Sequence, residues 1–145
     1  MSLENEAKKI AATHARWLRK PEDALFGRDG KGAVMMMYER LKHSKTMEEV
    51  KEALNLDQYA NMMDKQTYND LQRFLNELLT KASQMNQEDA VRFVLEAFRY
   101  FQISLYTKIE NIKKGIWGWL FKFYIFYNIW NNELDINLND DFNGG

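Results

Sequence analysis

The chain predicts an all-α fold, a single-domain bundle of five to seven helices, on three observations. One proline and seven glycines in 145 residues leave few breakers, which favours long helices over many short, turn-punctuated strands. Apolar residues recur at three- and four-residue spacing over long windows, the period of a helix buried on one face. Ser/Thr/Asn residues followed three positions on by an acid, the sequence mark of a capped helix start, recur at Thr46/Glu49, Thr67/Asp70 and Asn86/Asp89. A chain of 17.3 kDa with 46% hydrophobic and 28% charged residues fits one domain with a real core. The predicted division is one helical domain over 4–131 and an acidic tail over 132–145.

Taken in order, residues 4–20 form an amphipathic helix. At about 100° per residue, Ile10, His14, Trp17 and Leu18 share an arc and Lys8, Lys9, Arg16, Arg19 and Lys20 gather opposite. Trp17 is expected to pack inward, and Pro21 to end the helix and begin a short further turn over 21–26. Residues 27–32 are a glycine-rich loop. A helix over 33–43 carries Val34, Met37, Tyr38 and Leu41 on one stripe; another covers about 47–54, and a turn follows around 56–63. The helix over 67–84 buries Tyr68, Leu71, Phe74, Leu75, Leu78, Leu79 and Ala82. The longest helix, 86–114, presents Val91, Val94, Leu95, Phe98, Phe101, Leu105, Ile109 and Ile112, with Gly115 as its left-handed cap. These last two helices are expected to pack antiparallel as the frame of the bundle.

Residues 116–130 are apolar or aromatic at nearly every position, interrupted only by Gly118, Lys122 and Asn128. Helical and β signals compete there, and helix is preferred because the neighbourhood is helical throughout. As a helix the run reaches only about 22 Å, short of the roughly 30 Å hydrocarbon core of a bilayer, so no membrane span is expected. Its apolar character demands cover from other elements of the chain, from a second copy, or from a partner or membrane surface. The segment is expected to close the frame, with Trp117, Trp119, Phe123, Phe126 and Trp130 as its contact residues. The alternation at 134–138 leaves room for one short C-terminal strand.

Chemistry-bearing motifs are weak. The absence of cysteine excludes disulfides, thiol nucleophiles and thiolate metal sites, and suits the cytoplasm, where the chain is expected. The 27–32 loop fails the phosphate-cradle pattern: Leu25 stands where the first glycine belongs and Gly32 where Ser/Thr belongs. His14 and His43 make no metal set, and the methionines at 35–37, 47, 62, 63 and 85 read as core filler. Asp135, Asn137 and Asn139 imitate a calcium loop, but Asp140 takes the place of its glycine. No catalytic, cofactor-binding or metal-binding residue is singled out, no cofactor is expected, and no small-molecule substrate is evident.

Net charge is −1, yet 8–20 holds five cations and no acid, whereas after Gly115 Lys122 stands alone against Glu133, Asp135, Asp140 and Asp141. The leading expectation is a non-enzymatic interaction or assembly subunit, a homo-oligomer or the binder of a protein partner, using the aromatic segment as its apolar contact. The alternative is a small helical nucleic-acid-binding subunit that holds phosphates through Lys8, Lys9, Arg16, Arg19, Lys20, Arg28 and Lys31. A third class, a protein lying on a membrane surface, would join the basic first helix to Trp117 and Trp119.

Overall fold

The structure, a computed structural model, describes residues 2–130, without the side chains of residues 125 and 128–130. The described chain is all-α: α1 (Leu3–Trp17), α2 (Pro21–Leu25), α3 (Ala33–Leu41), α4 (Met47–Ala53), a 3-10 turn (Leu56–Met62), α5 (Lys65–Ala82) and α6 (Gln87–Trp130). The strand expected at 134–138 and the acidic tail lie outside the described residues, as does the Trp130 side chain. Contacts divide the chain into one compact unit ending at Ile109 and another beginning at Glu110.

Capping explains where the helices of the first unit begin. The Ser2 hydroxyl accepts from the Asn5 amide at 3.2 Å, Thr46 from Glu49 at 3.2 Å, and Asn86 from Asp89 at 2.9 Å. Each satisfies a backbone donor that the first helical turn leaves free. The start expected at Thr67 is displaced. Asp64 is the cap of α5, accepting from the Thr67 amide at 3.0 Å, and Asp70 is released for a different task.

Two further expectations are corrected. Helix α1 ends at Trp17, ahead of Pro21, and Trp17 is 66% exposed rather than packed inward. The buried arc of α1 is centred on Ala7, Ile10, Ala11, His14 and Ala15. At 100° per residue Trp17 falls outside that arc, beyond Ile10, and Leu18 takes the buried place at the end of the helix. At the other end of the chain, Gly115 caps nothing. Positive φ occurs at Gly27 and Gly30 and not at Gly115, so α6 runs through it to Trp130.

The core of the first unit is a layer of small and large apolar side chains from every helix. At its centre Phe74 of α5 stacks on Phe101 of α6, with ring centroids 4.0 Å apart and planes at 20°, and tilts against Phe98 at 5.5 Å. The four-residue link between α5 and α6 and these contacts fold the two helices back on one another, as the frame reading requires. Ala7, Ala11 and Ala15 give α1 a flat face that is fully covered, and His14 rests 5.4 Å from Phe74. Met37 and Met63 are buried and Met35, Met36, Met47, Met62 and Met85 pack against the same core. They fill gaps, a task suited to an unbranched side chain.

Candidate interaction surface

The polar side chains that converge inside the first unit hold the end of α1. A helix leaves its last carbonyls without partners, and Lys108 of α6 supplies them: its Nζ donates to Ala15 O at 3.2 Å, Arg16 O at 2.7 Å and Leu18 O at 2.6 Å. Burial pushes the Lys108 ammonium below its ordinary value, with Asp70 acting in the opposite sense. From α5, the buried Asp70 carboxylate accepts from the Arg19 backbone amide at 3.1 Å and from its guanidinium at 3.2 and 3.0 Å. Burial opposes ionisation of Asp70, but the Arg19 side-chain and backbone hydrogen bonds outweigh it and hold the carboxyl below its ordinary value. Lys20 pairs with Asp64, whose carboxyl is lowered to about 2, first by that bond and then by the Thr67 amide.

These pairings bear on the basic residues of the N-terminal region. Arg19 and Lys20 are engaged by carboxylates of α5 and its cap. Lys8 sits over the Tyr100 ring at 4.6 Å, a cation–π contact with α6. Lys9 lines, with Glu6 of the same helix and Glu77 and Lys81 of α5, a groove of about 320 Å³, so cations and acids mix there. Arg16, Arg28 and Lys31 are exposed. The set is therefore no uninterrupted cationic row. The three partners that break it up, Asp64, Asp70 and Tyr100, were invisible as partners because they lie 44 to 92 positions away in sequence.

His14 Nε2 donates to the Glu77 carboxylate across 2.5 Å, and its ring stands edge-on to Trp17 at 6.2 Å. Among the described residues no three His, Cys, Asp or Glu side chains come together in a way that would hold a metal ion. The 27–32 loop is closed on itself. The Gly32 amide donates to Leu25 O at 2.9 Å, and a Cβ on Gly32 would stand 2.5 Å from Ala24 O. Close backbone approach, and not a ligand, accounts for that glycine.

In comparisons with family models, curated proteins and solved structures, nothing matches this chain.

What remains is apolar. A groove of about 380 Å³ is lined by Leu25, Phe26, Met35, Ile103 and Tyr106, with the Tyr106 ring edge-on to Phe26 at 6.5 Å. Ile103 and Tyr106 were not singled out from sequence because they lie off the main stripe of α6. The larger apolar surface is in the second unit. The segment 116–130 is helical as expected, but its contact side chains are open rather than covered: Trp117 at 71%, Trp119 at 62%, Phe123 at 61% and Phe126 at 66% are exposed. Ile112, Ile116 and Leu120 are exposed too. Among the described residues no helix is long and apolar enough to cross a membrane.

Proposed function

We propose that this chain is a non-enzymatic assembly subunit that associates with a second copy of itself through the apolar side chains of α6 beyond Glu110. The observation that supports this reading is the exposure of Trp117, Trp119, Phe123 and Phe126 on one helix. At about 200 Å² for a full aromatic side chain, these four leave on the order of 500 Å² of aromatic surface in water. The largest apolar patch of a typical monomer is about 300–600 Å², and patches of that size mark interaction sites. Asp70 and Lys108 are meanwhile occupied in holding the end of α1, which suits a scaffold better than a reaction centre.

Light scattering on the full chain tests the reading. A mass rising toward a multiple of 17.3 kDa as concentration goes from about 1 to about 100 µM is the expected result. A strictly monomeric species at the upper concentration ends the proposal.

A further inference from the structure

The exposed half of α6 carries a repeat finer than general greasiness. Ile109, Ile112, Ile116, Trp119, Phe123 and Phe126 follow one another at spacings of three, four, three, four and three. That alternation is the a/d pattern of a coiled-coil seam, in which each side chain inserts between four residues of a facing helix. Leu105, one step earlier in the same register, and Ile109 are buried in the core of the first unit, whereas Ile112 through Phe126 on that register are 47% to 66% exposed. Trp119 and Phe123, four residues apart, already stack on one another at 5.4 Å. The seam is thus a formed surface, and what it fits is a helix with the same spacing.

We infer that two copies of this chain pair their α6 seams in an antiparallel two-helix coiled coil spanning 116–126. The inference rests on the assembly reading above and specifies its geometry. Three observations favour a second copy as the occupant. The seam is its own complement, which is what a two-fold symmetric interface requires. Its register continues without a skip from the buried Leu105 and Ile109. And its area suffices: the exposed parts of Ile116, Trp119, Leu120, Phe123 and Phe126 come to on the order of 600 Å² per chain, hence roughly 1,200 Å² for the pair, the lower bound of a stable interface. The direction follows from volume. The seam is isoleucine in its first part and aromatic in its second. Antiparallel pairing sets Ile116 of one copy against Phe126 of the other and Trp119 against Phe123. Parallel pairing would set Phe126 on Phe126 and Ile116 on Ile116, so only the antiparallel pair forms the large-against-small layers, Ile116 with Phe126, that pack best.

The chain has no cysteine, which makes cross-linking clean. Mixing Ile116→Cys chains with Phe126→Cys chains under mild oxidation should give the mixed disulfide as the main product. Sedimentation velocity on Trp119→Asp and Phe123→Asp should show association weakened by about 100-fold or more in the double variant, because a charge then stands where apolar surface is buried. Trp117→Asp, equally exposed but off the seam, should leave association within about threefold of the parent. All these positions are exposed in the single chain, and circular dichroism confirms that the variants fold. Efficient Ile116→Cys homodimers overturn the antiparallel direction, and loss of association in Trp117→Asp alone overturns the seam, both leaving assembly intact. A monomeric parent overturns assembly itself. A monomeric parent that co-sediments with phosphatidylcholine–phosphatidylserine vesicles through Trp119 and Phe123 reassigns the surface to a membrane and overturns the pairing.

Discussion

Replacing Lys108 by methionine should loosen the end of α1 and lower the stability of the whole unit. Methionine keeps the length and apolar stem of lysine and removes only the ammonium, so packing is nearly conserved. Three carbonyls lose their donor, at 3.2, 2.7 and 2.6 Å. A hydrogen bond from a charged group contributes about 1.5–3 kcal/mol net, and the positive charge at a helix C-terminus adds roughly 0.3–1 kcal/mol. Against this stands the desolvation that lowers the Lys108 pKa, and water reaches some of the freed carbonyls. The net expectation is a loss of about 2 kcal/mol. For a unit of this size 1 kcal/mol corresponds to roughly 4 °C in Tm, so the variant should melt about 8 °C lower. Urea denaturation followed by far-UV circular dichroism at neutral pH reads the loss directly, and hydrogen exchange should locate it at Ala15, Arg16 and Leu18. A loss below about 0.5 kcal/mol, the range of ordinary surface substitutions, would refute the view that Lys108 caps α1.

The same network and its neighbours set other expectations. Phe74→Ala, which removes the ring stacked on Phe101 and tilted on Phe98, should cost about 3–5 kcal/mol by chemical denaturation; a loss under 1.5 kcal/mol would mean that the core collapses around the gap. Gly32→Ala should destabilise, since its Cβ would stand 2.5 Å from Ala24 O and backbone must shift; an unchanged midpoint would show that the loop rearranges freely. Asp64, at about 2, and Asp70, also lowered, bind protons more weakly folded than unfolded. Their contribution is therefore full above the unfolded value near 3.8 and is lost as pH falls from there through about 2. An acid titration of stability should show this loss, and Asp70→Asn should flatten it; a slope unaffected by the substitution would contradict the Arg19 pairing. Filter binding of single-stranded RNA and DNA at low salt should show no retention, because Lys8, Arg19 and Lys20 are engaged within the chain; salt-sensitive retention abolished at Arg16, Arg28 and Lys31 would restore a phosphate-binding role.

Periodicity made most of the fold legible before any coordinates. The stripes of α5 and of the first half of α6 are buried or half-buried, because a 3.6-residue repeat of apolar side chains is a local property that tertiary packing uses, but the α6 stripe ends at Ile109: Ile112 is exposed, and Phe93, off the stripe, is fully buried. Helix ends were less legible. Thr67 and Asp70 carry the spacing of a capping pair, yet Asp64 three residues earlier takes the cap and Asp70 turns to Arg19. That choice depends on α1 being alongside, which spacing does not encode. Gly115 illustrates the converse. Glycine in a helix interior costs only about 1 kcal/mol, too little to stop a helix whose neighbours on both sides favour it. The aromatic segment stood out as an expected contact surface from composition, but the three-and-four spacing within it is masked in the sequence by other aromatics such as Trp117. The Lys108 cap left no signal at all, since its partners are backbone carbonyls some 90 positions away.

The most direct test of the account is hydrogen exchange along α6 as a function of protein concentration. If a second copy covers the seam, amides over 116–126 gain protection as concentration rises through the association range while those over 93–105, already inside the packed unit, stay constant. Protection over 116–126 that is the same at every concentration would contradict it.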